Sequence, residues 1–289
     1  MQKSKKITFA NNQRDFSATL NRRINDYFKT NQIDRHANAE MVIKTVFMFV
    51  LYLVPYGLIV GGEITNIYWM LPLVVVMSFG IAGIGLSVMH DANHGAYSNK
   101  SWVNDLIGYS LNLVGANAFN WKIQHNIMHH TFTNIHDEDE DISPRGVLRL
   151  SPYSDWKSMH RYQYLYAWPL YGLMTIVWVL IKDFVRIVRY QKNGMAEKQH
   201  ASITKEWLIL IFTKLFYITY IFVIPLLLTS LLWWQIILGI LLMHYIAGFI
   251  LTIIFQPAHV IEGTEYPVPD EDNMLENNWA VHQLSLIHI

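Results

Sequence analysis

Long apolar runs alternate with polar segments along this chain of 289 residues. The runs cover residues 41–62, 68–89, 207–228 and 233–255. Each has about twenty residues, which is enough for an α-helix to cross the hydrocarbon core of a bilayer. Tryptophans stand at the ends of several runs, as they do in the aromatic belts at membrane interfaces. The pattern predicts an all-α integral membrane protein with four transmembrane helices, arranged as two hairpins.

Polar and mixed segments complete the predicted organisation. Residues 1–40 are polar and basic, and within them Arg22–Phe28 is expected to form a short interfacial helix. The central segment contains an apolar stretch, Trp168–Ile181, that is short for a crossing and predicts an interfacial or buried helix. Residues 101–118 predict an amphipathic helix that lies along the membrane. The spans and the central segment are expected to form one domain over residues 41–283.

Basic residues avoid the two short turns between paired spans and concentrate in residues 1–44 and 100–205. The positive-inside rule therefore places both termini in the cytoplasm, together with residues 90–206 as a helical cap.

The formal net charge is zero, so no general attraction to nucleic acid is expected. The N-terminal segment lacks the apolar core of a signal peptide.

Histidines are concentrated at the predicted cytoplasmic ends of the spans and in the cap. They are His90 and His94 in a first box, His125, His129 and His130 in a second box, and His259 at the end of the last span. Within each box a spacing of four residues places two imidazoles on a common helix face. The two boxes therefore predict a metal centre.

The residue types restrict which metal centre is expected. The chain has no cysteine, which excludes thiolate ligands and iron–sulfur clusters. Imidazole suits iron, copper, zinc or nickel, and the number of histidines exceeds the needs of one tetrahedral zinc, which favours a two-metal site. Asp91 is suited to accept the second N–H of a neighbouring imidazole. The alternative, solvated histidines in a membrane-surface loop, is disfavoured because ionisable clusters at a membrane are rare without a function.

Other polar features are predicted to be structural. The run Asp137–Asp141 lacks the glycine and the spaced carboxylates of a calcium loop, and is expected to be a hydrated surface turn. His244, in the middle of the last apolar run, is expected to be a buried group between packed helices. The sequence leaves the role of His282 open.

Several strings in this sequence resemble the membrane fatty acid desaturases. They are HDANHGAYS (His90–Ser98), QHNIMHHTFTNI (Gln124–Ile135), the acidic DEDEDI that follows, FQPAHV (Phe255–Val260) and WAVHQ (Trp279–Gln283). The resemblance extends from residue 41 to Gln283. It is closest to the bacterial acyl-lipid and front-end branch, which includes linoleoyl-CoA desaturase-like proteins, and it implies a multi-pass protein of a bacterial inner membrane.

The resemblance implies a function and a set of ligands. A non-haem di-iron centre would use O2 and two electrons to insert a double bond into a long acyl chain, carried as an acyl-lipid or acyl-CoA. The electrons would come from a separate carrier, a ferredoxin or cytochrome b5 with its reductase. The implied iron ligands are His90, His94, His125, His129, His130 and His259. No residue beyond these ligands is expected to be catalytic.

The end of the chain departs from the family pattern. Family members carry a third box near the C-terminus, commonly Q-I-E-H-H, and this sequence has no such string. After Gln283 it reads LSLIHI (Leu284–Ile289), which resembles a translated sequencing adapter. We expect residues 284–289 to be an artefact, and the sequence as given to be a C-terminally truncated, inactive family member.

Other functions are consistent with parts of this pattern. A related di-iron membrane hydroxylase or monooxygenase could use a similar site, although HHTFTNI with its acidic continuation favours a desaturase. A histidine-containing membrane transporter or cytochrome requires histidines paired across spans at mid-depth, whereas these lie outside the spans. A metal-free scaffold is also consistent with the missing third box.

Overall fold

The computed structural model describes residues 7–12, 14–62, 64, 66–142, 146–199 and 201–285. Four helices in this part of the chain are long and apolar enough to cross a membrane. They are span 1 (Ala39–Val60), span 2 (Ile67–Asn93), span 3 (Ile203–Leu228) and span 4 (Trp233–His259). The predicted all-α membrane class is confirmed.

The remaining elements are mostly short. The helices are Arg14–Thr30, Ser101–Gly108, Ser110–Leu113, Ala118–Lys122, the π-helix Ile123–His129, the 3-10 helix Ser158–Tyr162, Gln163–Tyr171, Met174–Val177, the π-helix Trp178–Lys182, Asp183–Lys192, Met195–Lys198 and Trp279–Ser285. Two strands, Thr8–Phe9 and Met274–Leu275, pair in parallel. Spans 2 and 3 each contain one π-helical turn, at Ile84–Val88 and Thr219–Val223.

Asparagine caps explain why spans 1 and 2 begin slightly before the positions that hydrophobicity predicts. The side chain of Asn38 accepts a hydrogen bond from the backbone N of Met41 at 2.9 Å. Asn66 does the same for Tyr68, also at 2.9 Å. These bonds satisfy N–H groups that have no partner within the helix, so the helix starts at the cap and not at the first apolar residue.

The helix predicted over residues 101–118 is interrupted. It consists of Ser101–Gly108 and Ser110–Leu113, and no helix continues to Gly115. Gly115 has a φ of +91°, a backbone conformation that ends a right-handed helix and that favours glycine.

The apolar stretch Trp168–Ile181 does not form one straight helix. It lies in a pair of helices, Ser158–Tyr171 and Met174–Lys192, that are bent by 67° relative to each other. Pro169 lies in the first helix and Gly172 lies in the break, and both residue types weaken helical continuity.

The described chain divides into two compact units. The first unit comprises Met1–Arg35, Gln124–Leu165 and Phe255–Ile289, within which the described residues carry both strands, the N-terminal helix and the second histidine box. The second unit comprises His36–Ile123 and Tyr166–Ile254, and contains most of the spans together with the first box.

Close contacts between helices hold the second unit together. A Cβ atom added to Gly80 of span 2 would lie 2.8 Å from the backbone N of Tyr52 in span 1, so glycine permits this approach. The hydroxyl of Tyr52 lies 2.7 Å from that of Tyr220 in span 3. His244 is buried in span 4 and is hydrogen-bonded to the hydroxyl of Tyr217. The predicted role of His244 as a buried group between helices is confirmed.

A buried ion pair joins three segments of the second unit. Nζ of Lys214, in span 3, lies 2.7 Å from Oδ2 of Asp183, and it also donates to the carbonyls of Gly115 at 2.6 Å and Val179 at 2.8 Å. Oδ1 of Asp183 accepts the indole N–H of Trp178 at 3.0 Å. All three ammonium donors therefore have acceptors, which makes a buried charge tolerable.

The N-terminal segment of the first unit has more regular structure than predicted. A helix runs over Arg14–Thr30 in place of the short helix expected at Arg22–Phe28. The strand Thr8–Phe9 precedes it, in an otherwise helical protein. At the other end, Leu284 and Ser285 complete a helix, and residues 286–289 of the predicted artefact lie outside the described residues.

Candidate metal centre

The first box lies at the end of span 2, where a π-helical turn precedes it. This last segment of the span extends beyond the predicted limit at residue 89 and carries His90 on a helix. The ring centroids of His90 and His94 are 4.5 Å apart. Gly95, with a φ of +73°, ends the helix immediately afterwards. The structure therefore brings the two histidines of the first box together, as their spacing predicts.

Two neighbours support the rings of the first box within the second unit. Nδ1 of His90 lies 3.0 Å from Oδ1 of Asp91, the residue predicted to orient an imidazole. The indole of Trp121 packs edge-on against both rings, with centroids 5.7 Å from His90 and 5.8 Å from His94. A carboxylate at Nδ1 leaves Nε2 as the nitrogen that is available to a metal.

The second box is built by the π-helix Ile123–His129. The backbone N of His130 donates to the carbonyl of His125 at 3.0 Å, which is the i to i+5 bond of a π-turn. This wider turn brings both following histidines close to His125, with centroid distances of 5.2 Å to His129 and 4.6 Å to His130. The spacing predicts the proximity of His129, while the π-turn explains the equal proximity of His130.

His259, the last residue of span 4, joins the second box within the first unit. Its ring centroid lies 4.3 Å from that of His129. The side-chain amide of Asn134 donates to the carbonyl of His259 at 3.1 Å and so ties the end of the span to the loop after the box. Four imidazoles, those of His125, His129, His130 and His259, are thus gathered in one place.

The acidic run after the box contains a residue that sequence reasoning missed. Asp139 is fully buried, and both of its carboxylate oxygens lie 3.0 Å from Nδ1 of His129. Its oxygens also accept the backbone N–H groups of Asn134 and Asp141, each at 2.9 Å. The prediction of a hydrated turn is therefore wrong for Asp139, whereas Asp137 is exposed as expected.

Asp141 approaches the same side of the second box. Its Oδ2 lies 3.9 Å from Nδ1 of His125 and 3.5 Å from Nδ1 of His129, and Gln124 donates to its other oxygen. Donor atoms of these two histidines and Asp141 lie within 4.8 Å of one another, as they would around a metal ion. Because Nδ1 of His129 is already held by Asp139, its Nε2 is the nitrogen that remains available to a metal.

The acidic neighbours also change the pKa of His129. Burial by itself lowers this pKa, but the hydrogen bond to Asp139 and the charges of Asp141 and Asp139 outweigh burial, so the pKa is raised above its usual value. The carboxylate of Asp139 beside Nδ1 favours a proton on that nitrogen. The donor set of clustered imidazoles with carboxylate partners fits a nitrogen-rich site for a transition metal such as iron.

His282, which the sequence leaves open, is buried in the C-terminal helix. Its Nε2 lies 3.1 Å from the carbonyl of Thr133. Burial lowers the pKa of His282, while this hydrogen bond acts in the opposite direction. A neutral imidazole that donates through Nε2 is consistent with both observations.

The comparisons with known proteins agree with these features. A family model described as fatty acid desaturase matches residues 68–288, which is more than half of the chain. The sn-1 linoleoyl-lipid 6-desaturase of Arthrospira platensis is 29% identical over 285 residues, covering 96% of this chain and 74% of that protein. The protein of the same name from Synechocystis sp. is 28% identical over 275 residues, covering 94% and 75%. An acyl-lipid (8-3)-desaturase of Physcomitrium patens is 30% identical over 274 residues, covering 94% of this chain and 56% of its own length. No solved structure matches the chain.

Proposed function

Because the chain belongs to the fatty acid desaturase family, we propose that it introduces a double bond into a long acyl chain with two non-haem irons, O2 and two electrons. It is a membrane oxidoreductase, and four helices in the described part of the chain are able to span a bilayer. The observation that best supports the metal centre is the second box, where four imidazoles and a buried carboxylate meet.

We propose an acyl-lipid as the substrate. The relatives from Arthrospira platensis and Synechocystis sp. are named for linoleoyl-lipid, and a third relative is named an acyl-lipid desaturase. A lipid-bound acyl chain is already concentrated in the bilayer, in which the apolar surfaces of the four spans would lie. An acyl-CoA is the alternative substrate.

The proposed iron ligands are the histidines that the resemblance indicates. They are His90, His94, His125, His129, His130 and His259. When bound, the irons would supply the redox chemistry by which O2 takes two hydrogens from the acyl chain, together with two electrons from the carrier and two protons, and is reduced to two waters. Asp91 and Asp139 accept the Nδ1 protons of His90 and His129, so that each ring is fixed with Nε2 directed away from its carboxylate.

The protein side chains restrict water around the second box. His125 and His129 are both buried, and the ring of Phe255 packs against His125 with centroids 6.3 Å apart. Exclusion of water protects reactive species from side reactions with solvent. It also strengthens the hydrogen bond between His129 and Asp139, since that bond lies in a low-dielectric environment.

Electron supply and orientation are part of the same proposal. A ferredoxin, or cytochrome b5 with its reductase, would deliver two electrons on the cytoplasmic side of a bacterial inner membrane. The basic N-terminal and central segments support this orientation, because lysine and arginine are enriched on the cytoplasmic side. They would also attract an acidic carrier.

Expression in a host that lacks the corresponding activity tests the function. The chain, completed with the third histidine box that the resemblance implies, is co-expressed with a ferredoxin and its reductase, and the cellular fatty acids are profiled by gas chromatography and mass spectrometry. We expect a new unsaturated acid in the lipid fraction, absent from cells that carry His129→Ala. A hydroxylated acid would favour the alternative of a membrane hydroxylase, and product confined to acyl-CoA would contradict the lipid substrate. The absence of any new product, with both irons bound, would contradict the proposal.

A further inference from the structure

The C-terminal helix Trp279–Ser285 contacts the backbone that follows the second box. The indole N–H of Trp279 donates to the carbonyl of His130 at 3.1 Å. Three residues further along, Nε2 of His282 donates to the carbonyl of Thr133, also at 3.1 Å. Both contacts lie within the first unit.

We propose that His282 is a positioning residue for the second box and is not itself a metal ligand. This inference rests on the proposed function, because it concerns the same metal centre. By holding the carbonyl of Thr133, His282 fixes the turn that leads from the box to Asp139. The position of this turn determines where the carboxylate of Asp139 lies beside His129.

The end of the π-helix needs such support. The last carbonyls of a helix have no intrahelical partner, and leaving them unpaired in a buried place is costly. The hydroxyl of Thr133 donates to the carbonyl of His129 at 2.7 Å, and the indole N–H of Trp279 donates to the carbonyl of His130. Nε2 of His282 donates to the carbonyl of Thr133 itself. Side chains thus bind three carbonyls, two at the end of the box and one in the turn after it.

The turn continues directly into the site of Asp139. Asn134 follows Thr133 and has a φ of +59°, a left-handed conformation that asparagine tolerates better than most residues. Its backbone N–H donates to Asp139, and its side chain donates to the carbonyl of His259. A displacement of the Thr133 carbonyl would therefore be passed on to the carboxylate beside His129 and to the end of span 4.

His282 also contacts the N-terminal strand. The strand is fixed by backbone bonds, from Thr8 to Asn273 and from Ala10 to Leu275, each at 2.9 Å. The ring of Phe9, on this strand, lies 5.3 Å from the imidazole of His282. It also stacks on Phe132 at 6.3 Å. The buried imidazole of His282 therefore contacts both Phe9 and the turn after the second box.

His282 differs from the proposed ligands in what its Nε2 does, because it donates to a backbone carbonyl, whereas Nε2 of a ligand would bind the metal. In a ligand, replacement of imidazole by an amide removes the metal-binding nitrogen. In a donor to a carbonyl, glutamine places its side-chain N–H where Nε2–H of histidine was, and the bond is kept. His282→Gln should therefore keep the hydrogen bond to the carbonyl of Thr133, whereas His282→Leu, of similar bulk, should lose it.

Metal binding by the purified full chain tests this directly. Apo-protein is titrated with Co²⁺, whose absorption spectrum reports ligand number, for wild type, His282→Gln, His282→Leu and the ligand control His129→Gln. We expect wild-type-like binding for His282→Gln, and about 10–100-fold weaker binding for His282→Leu, as for other residues that orient ligands. Hydrogen exchange of the peptide covering residues 129–135 should be faster in the Leu variant and unchanged in the Gln variant.

The outcomes distinguish the possible roles. Loss of one Co²⁺ ligand in His282→Gln, as in His129→Gln, would show that His282 is a ligand and overturn the inference. Wild-type binding and exchange in His282→Leu would show that the contact has no effect, and would also overturn it. If the wild type binds metal but yields no desaturated product, the proposed function fails while the exchange and binding data still decide the role of His282.

Discussion

Nδ1 of His129 lies 3.0 Å from each carboxylate oxygen of Asp139, and both side chains are buried in the first unit. The carboxylate is itself held by two backbone N–H groups, so its orientation is fixed by the fold. A histidine whose Nδ1–H is donated to a carboxylate presents Nε2 in a defined direction and is a more basic ligand. The pair therefore prepares one imidazole of the second box for metal binding.

The first prediction concerns this carboxylate. Asp139→Asn should weaken Co²⁺ binding by about 10–100-fold, because both oxygens of Asp139 accept N–H groups and an amide must direct its own NH2 at one of them. The measurement is a spectroscopic titration of apo-protein. Asp137→Asn is the matched control, since Asp137 is exposed in the same acidic run. Equal binding by the two variants would contradict an orienting role for Asp139.

The second prediction concerns the six proposed ligands. In a chain completed with the third box, alanine at each should abolish desaturation and reduce iron below two per chain, since an open position in an inner ligand shell disorders the site. The variants are His90→Ala, His94→Ala, His125→Ala, His129→Ala, His130→Ala and His259→Ala. The control is His160→Ala, because His160 lies outside both boxes and bonds to the carbonyl of Gly146. Elemental analysis that finds stoichiometric zinc alone, or full activity after any of the six changes, would refute the di-iron assignment.

Hydrophobicity predicts the four spans well because membrane insertion depends on local composition. The observed ends of the spans differ from the predicted ends by a few residues, for example where the caps Asn38 and Asn66 determine the start of a helix. The association of His90 with His94, and of His125 with His129, also follows from helical spacing. These features are local in sequence, and so they can be read from the sequence alone.

The features that sequence reasoning missed depend on the folded backbone. Asp139 lies in an acidic run that resembles a solvated loop, and its burial results from backbone donors and left-handed residues such as Asn134 and Asp137. The strand Thr8–Phe9 pairs with Met274–Leu275, more than two hundred residues away, and two residues carry too little pattern to predict a strand. The π-turn of the second box has no distinct hydrophobic period.

The third prediction concerns orientation in the membrane. The chain has no cysteine, so a single introduced cysteine reports one position without background. Asn66→Cys and Ser230→Cys, at exposed positions in the two short connections between spans, should react from outside the cell with an impermeant thiol reagent. Asn193→Cys, which is exposed near the basic central segment, should react only after the membrane is opened. Labelling at residue 193 in intact cells would contradict the cytoplasmic placement of the central segment.

The last prediction concerns the buried ion pair of the second unit. Lys214→Met leaves the Asp183 carboxylate without its cation, and leaves the carbonyls of Gly115 and Val179 without their donor. Removal of one partner from a buried pair typically costs about 3–5 kcal/mol, because the remaining charge is uncompensated. The variant should therefore unfold at a clearly lower temperature in detergent, when helix content is followed by circular dichroism.

A second substitution shows whether the loss of stability comes from the unpaired charge of Asp183. In Lys214→Met combined with Asp183→Asn the uncompensated charge is gone, and the amide can still accept the indole N–H of Trp178, so part of the stability should return. Lys205→Met serves as the control, because Lys205 is exposed on the same span. If Lys214→Met unfolds at the temperature of this control, the ion pair does not stabilise the second unit. If the double variant is less stable than Lys214→Met, the cost arises from lost packing and carbonyl bonds rather than from the unpaired carboxylate.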